Sequence, residues 1–189
     1  MHEPQMRAAQ THSVLATIRR LDAPERDEIL SRIGEANLRR AQDALPVAWL
    51  PMALHMLISD HVRDVIGPER NVVFWRDAMS AAFQRPFLKS FVAMTVSLFG
   101  LTPAGLLRRV DGVYTHVTRE LGAMRYEPVD ERSGRAVLTG FPARSFRFIC
   151  YVEGLQGCLA ATIVIGGGSP HVAVAAHDEQ GNVSYDVSW

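Results

Sequence analysis

At 189 residues the chain has the length of about one domain, and its 48% apolar against 21% charged residues is the balance of a globular protein. That composition excludes a disordered chain, a collagen-like repeat and an elastic linker, and a chain this long buries a core without needing disulfides or metal. The 20 Lys+Arg and 20 Asp+Glu cancel, which excludes the strongly basic face of a dedicated nucleic-acid binder.

Residues 1–12 are polar and contain Pro4, and they read as a flexible tail ahead of one domain over 13–189. Val14, Leu15, Ile18 and Leu21 then fall at helical spacing. Asp22, Pro24 and Glu25 supply an N-cap, a first-turn proline and a capping-box acid, which predicts a helix running to about Ala41. Pro46 breaks the chain. Trp49-Leu50-Pro51 opens a helix that ends near Ile66-Gly67, with an apolar stripe through Leu54, Leu57, Ile58 and Val62. A helix over Glu69–Gln84 follows. The next, Phe87–Phe99, is apolar nearly all round and reads as the most buried. Thr102-Pro103 starts another helix by the same cap-plus-proline logic, and the apolar spacing carries it to Leu121.

Beyond Gly122 the period changes. Ala123–Val129 and Arg135–Phe141 alternate around a turn at 131–134, the pattern of a β-hairpin. Phe148, Ile149, Val152, Leu155 and Leu159 return to helical spacing, giving a helix from about Ala143 to Ala161 or beyond. Gly166-Gly167-Gly168 ends it, and His171–Ala176 with Val183–Trp189 form a second hairpin. Residues 13–121 are thus mostly helical and 122–189 are hairpin, helix, hairpin. The fold class is α+β: an N-terminal helical bundle followed by two β-hairpins that form one four-stranded antiparallel sheet covered by a helix.

No motif names a chemistry. The triple glycine is not followed by Lys and lies between helix and strand, the reverse of a phosphate-binding loop. The two cysteines, Cys150 and Cys158, are eight residues apart on one helix, a spacing for buried thiols rather than a redox pair. No HExxH or HxxxH pair occurs, so no catalytic or metal-ligating set is assigned. Three polar residues interrupt apolar helices and are the candidate ligand-binding groups: His55, His116 and Glu153. Should the superfamily resemblance given below hold, it implies that they face an apolar cavity walled by the helices near Leu50–Val62 and Phe87–Phe99 against helix 143–161. The competing expectation is that the Met and Phe side chains of those helices fill the space. No apolar run reaches the roughly 20 residues of a membrane span, and no secretory signal opens the chain, so the expected setting is the cytoplasm with reduced thiols.

The element order, with Arg119-Glu120-Leu121-Gly122 before the first hairpin, Tyr151-Val152-Glu153-Gly154-Leu155 in the helix and Ser184–Trp189 at the end, resembles the heme-NO-binding, vinyl-reductase-type and TRAPP-subunit superfamily. Within it the chain looks most like uncharacterised myxobacterial paralogous proteins. The resemblance covers about half the chain, from Leu106 to Trp189. It implies an α+β domain that binds a small ligand between helices and sheet, or a dimeric scaffold. The heme branch carries Tyr-x-Ser-x-Arg, which is absent here, so no cofactor is expected. The leading function is a non-catalytic small-ligand sensor or protein-interaction domain, with a protein partner or self-association. The alternative is a cofactor-binding or enzymatic protein using His or Glu in an interior pocket.

Overall fold

A computed structural model describes residues 3–84 and 101–189; the expected helix Phe87–Phe99 lies outside the described residues. The first strand, β1 (Gln5–Arg7), leads directly into α1 (Ala8–Ile18), whose Ala8, Leu15 and Ile18 are buried. Residues 5–12 are therefore not a tail. Their polar side chains mislead, because Gln10 and Thr11 are themselves buried.

The helix expected over 22–41 is two: α2 (Ala23–Ile33) and α3 (Glu35–Asp43). Gly34 lies between them with φ 78° and ψ 150°, outside the helical region, where glycine stands without strain. Asp22 makes no side-chain cap hydrogen bond, and Glu25 is used elsewhere, accepting from Arg70 Nη2 at 2.9 Å. Then come β2 (Trp49–Pro51), α4 (Met52–Ile66) and α5 (Pro68–Phe83), with Gly67 ending α4 as its position suggests. The helix expected over 103–121 also breaks. It forms α6 (Pro103–Leu107) and α7 (Val110–Val117), because Arg109 leaves the helical region at φ −113°, ψ 11°. Thr102 caps α6 as its sequence predicts, its Oγ1 accepting from Gly105 N at 3.1 Å. Thr118 and Arg119 are β3 rather than a last helical turn.

Strands β4 (Ala123–Pro128) and β5 (Ser133–Thr139) form the first hairpin. A short 3-10 turn at Ala143–Ser145 precedes α8 (Phe148–Ile165), so the covering helix starts later than its apolar pattern suggests and ends, as expected, at the triple glycine. The second hairpin is β6 (His171–His177) and β7 (Val183–Ser188). Both hairpins join in one antiparallel sheet of order β4-β5-β7-β6. A second sheet, β2-β1-β3, has the N-terminal strand at its centre: Met6 faces Leu50 on one side and Thr118 on the other.

Two cores result. Between sheet and α8, Leu138, Tyr185 and Val187 pack on Val152, Leu159 and Ile163, and Tyr185 Oη donates to the Val152 carbonyl at 2.9 Å. Phe141 stacks on Tyr151 with ring centroids 4.2 Å apart. Among the helices, Leu15, Ile18, Ile29, Ile58, Val62 and Phe74 make the other. Helix α8 is the hinge between the two, packed along α5 on one side and over the sheet on the other. It is also long and apolar enough to cross a membrane by length and composition, with half of it buried inside the fold.

Candidate functional site

The space between these cores is a cavity of about 110 Å³, walled by α1, α4, α5, α6, α7 and α8. Each helix contributes side chains that its apolar stripe turns inward. Helix α5 gives Trp75, Ala78, Met79 and Phe83, while α8 gives Cys150, Tyr151, Leu155, Cys158 and Leu159. Small residues let the walls come close. A Cβ on Gly157 would stand 2.5 Å from the Val72 carbonyl oxygen and 2.7 Å from Trp75 Cβ, so only glycine fits where α8 crosses α5.

No Asp, Glu, Lys or Arg lines the cavity among the described residues. Its polar side chains are mostly occupied. Ser13, Ser59, Thr118 and Thr162 hydroxyls each donate to the carbonyl four residues earlier, at 2.7–3.0 Å. Tyr114 Oη donates to the Leu121 carbonyl at 2.8 Å and lies 3.0 Å from Tyr151 Oη. Burial raises both phenols above their ordinary range, so both are neutral donors.

Of the three expected residues, His55 lines this cavity. It is 4% exposed, shares a hydrogen bond between Nδ1 and Thr11 Oγ1 at 3.2 Å, and lies against Trp75 with ring centroids 5.5 Å apart. Burial pushes its pKa down to about 4, so the imidazole is neutral at physiological pH. His116 is on the exposed side of α7 and is not part of the lining. Glu153 also stands outside the cavity. Its carboxylate accepts from Arg63 Nε and Nη2, each at 2.8 Å, and from Asn71 Nδ2 at 2.8 Å, tying α8 to α4 and α5.

Both thiols border the cavity and are free. Burial pushes each up to about 12, with a hydrogen bond to Asp60 adding to the effect at Cys150. They are therefore not thiolates and not poised nucleophiles. The lining residues that carry polar interest but lack a sequence signal are Gln10, Trp75 and Tyr114. Gln10 and Trp75 have buried N–H groups with no hydrogen-bond partner. An unpaired donor is a property of the packed fold, and no sequence pattern announces it.

No family model matches the sequence, and no curated protein matches it. Solved structures do match in fold. The Fe(II) unliganded H-NOX protein from K. algicida superposes with a TM-score of 0.65 at 13% identity, covering 97% of this chain and 96% of that one. A mutant H-NOX from T. Tengcongensis gives 0.61 at 15% identity, covering 97% of both chains. A Cs H-NOX mutant gives 0.58 at 14% identity over 97% of this chain and 96% of that one. The chain is similar in fold to H-NOX domains, which bears out the α+β class and, at the level of fold alone, the likeness to the heme-NO-binding branch.

Proposed function

We propose that this chain is a non-catalytic sensor domain that takes a small, mostly apolar molecule directly into the cavity between α1, α4, α5, α7 and α8, and signals its presence to a protein partner or a second copy. The observation that carries this reading is a cavity in the middle of the fold with no charged side chain among its described lining. Its volume of about 110 Å³ is below the roughly 300 Å³ of drug-sized sites. It is comparable to engineered cavities of about 150 Å³ that hold benzene or xenon, so the ligand is fragment-sized.

Solved relatives in fold concern heme: one describes protein-induced porphyrin distortion modulating heme redox potential, another the function of heme distortion. The residues here do not fit that group. The space is a fraction of what a porphyrin fills, and the two carboxylates of a heme meet no Arg or Lys among the described lining. Catalysis is likewise unsupported: His55 is neutral, both thiols are protonated, and Glu153 is held in its ion pair away from the cavity. The reading includes kinship with the wider vinyl-reductase-type and TRAPP-like superfamily and with the myxobacterial paralogues, a single domain over the described fold, and a cytoplasmic setting without nucleic acid.

Two measurements on the purified full chain test it. Native mass spectrometry before and after addition of benzene is expected to show one molecule bound per chain, with a rise in melting temperature that grows with ligand concentration. Titration with hemin is expected to leave the free-hemin spectrum unchanged. A stoichiometric, shifted Soret band would overturn direct binding in favour of heme-based sensing.

A further inference from the structure

We infer that the cavity selects a neutral ligand carrying a hydrogen-bond acceptor, of the ketone or ether class, and that Gln10 Nε2 and Trp75 Nε1 are the groups that recognise it. This rests on the ligand-sensing reading above and names the chemistry it leaves open.

The inference comes from which donors are already used. Around the cavity the hydroxyls of Ser13, Ser59, Thr118 and Thr162 donate to carbonyls of their own helices or of the adjoining turn. Tyr114 donates to Leu121, and Tyr151 Oη is within hydrogen-bond distance of Tyr114 Oη. Among the fully buried side-chain atoms of the described lining, two donors remain without an acceptor, the Gln10 amide and the Trp75 indole N–H. Both residues line the cavity, each is 8% exposed, and they stand on its α1 and α5 walls. A buried N–H without a partner carries the full cost of its lost hydration, and native folds keep few of them. The two here border the same space, so a molecule in that space satisfies them by offering a lone pair. The ligand is neutral because no countercharge faces it among the described lining and an ion there would lose its hydration uncompensated. Apart from its acceptor it is apolar, since Met79, Phe83, Leu155 and Leu159 make up the walls around it.

Helix α8 offers an independent handle on this end of the cavity. Gly154 faces the indole, and a Cβ there would lie 3.6 Å from Trp75 Nε1 and 3.5 Å from two ring carbons, an ordinary contact that needs no rearrangement. Gly154→Ala therefore places a methyl group beside the donor while leaving the helix packing intact.

The probes are cyclopentanone and methylenecyclopentane, which share a shape and differ in carrying C=O or C=CH2. Their affinities are measured by calorimetry for the wild-type chain and for Trp75→Phe, Gln10→Leu and Gly154→Ala. Dividing the ketone affinity by the alkene affinity within each protein cancels the loss of apolar packing that a variant causes. The ratio is expected to fall about fivefold in Trp75→Phe and in Gln10→Leu, the ordinary worth of one hydrogen bond. Gly154→Ala is expected to weaken both probes about tenfold or more while the melting temperature does not fall. A ratio unchanged in both donor variants, with both probes still binding, overturns the acceptor inference and assigns the donors to an ordered water. Binding of the alkene without the ketone likewise overturns the acceptor inference, whereas failure of both probes to bind the folded wild-type chain overturns the ligand-sensing reading itself.

Discussion

Gly154 and Gly157 sit one helical turn apart on α8 and face the same helix, α5, yet the same added methyl group is expected to act with opposite signs. At Gly154 the new Cβ meets only the Trp75 ring, at 3.5 Å, inside the normal range of contact. Replacing a mid-helix glycine by alanine then contributes about 0.5–1 kcal/mol. At Gly157 the new Cβ stands 2.5 Å from Val72 O, 2.7 Å from Trp75 Cβ and 2.8 Å from Arg76 N. The carbon pair is about 0.8 Å inside its roughly 3.5 Å optimum, and two of the three atoms are backbone, so α8 and α5 must move apart. Overpacking of this kind costs about 1–3 kcal/mol, more than the gain in helix propensity returns. The propensity gain is common to both variants, so they should differ by the overpacking cost of about 1–3 kcal/mol, which for a chain of this size is about 2–12 °C in melting temperature. Differential scanning calorimetry of both alanine variants against wild type measures it. If Gly157→Ala melts no lower than wild type, the close crossing of α8 over α5 is not a feature of the protein and the reasoning fails.

His55 ties stability to pH. Its pKa is lowered by burial to about 4 from 6.5, so the native state resists a proton that the unfolded chain accepts. The contribution is complete above pH 6.5 and is lost as the pH falls towards 4, with a ceiling of about 3 kcal/mol. Urea denaturation at pH 7 and pH 4.5 should show the loss in wild type and a smaller one in His55→Gln; equal losses in the two would dissociate it from this imidazole. Glu153→Gln removes the charge that faces Arg63, whose side chain is 17% exposed, and should cost about 2–4 kcal/mol in the same assay. A cost below about 0.5 kcal/mol would give the pair no more weight than a surface contact. With both thiols pushed up to about 12, Ellman's reagent should react at least about tenfold slower with the native than with the unfolded chain, which should then titrate two thiols. Fast native labelling would show that the α8 wall opens.

The elements that the sequence makes legible are those specified by neighbours along the chain. The end of α4 at Gly67, the Thr102 cap of α6 and the two hairpins all depend on residues within a few positions of one another. What escapes is specified from afar. Strands β1, β2 and β3 have three residues or fewer, too short for an alternating pattern, and they exist because Met6 finds Leu50 and Thr118. The break at Gly34 hides within an unbroken apolar period, because a single glycine costs a helix about 1 kcal/mol and does not forbid it. At the site, His55 is visible as a polar residue inside an apolar stripe. Glu153 is equally visible, but its partners Arg63 and Asn71 lie 90 and 82 residues away, so its role as a tie between helices is not. His116 shows the converse, a residue beside buried Tyr114 that the helix turns outward.

The central place of β1 sets an order in time. The strand that closes its second edge, at Thr118, is made roughly 110 residues after Met6, on the order of 6–20 s later at ordinary rates of synthesis. Through that interval α1 to α5 can dock on one another with one edge of β1 still bare. Slowing or stalling translation between residues 51 and 118 prolongs the exposure of an edge that invites pairing with a second nascent chain. The yield of folded protein should therefore depend on how quickly this stretch is made.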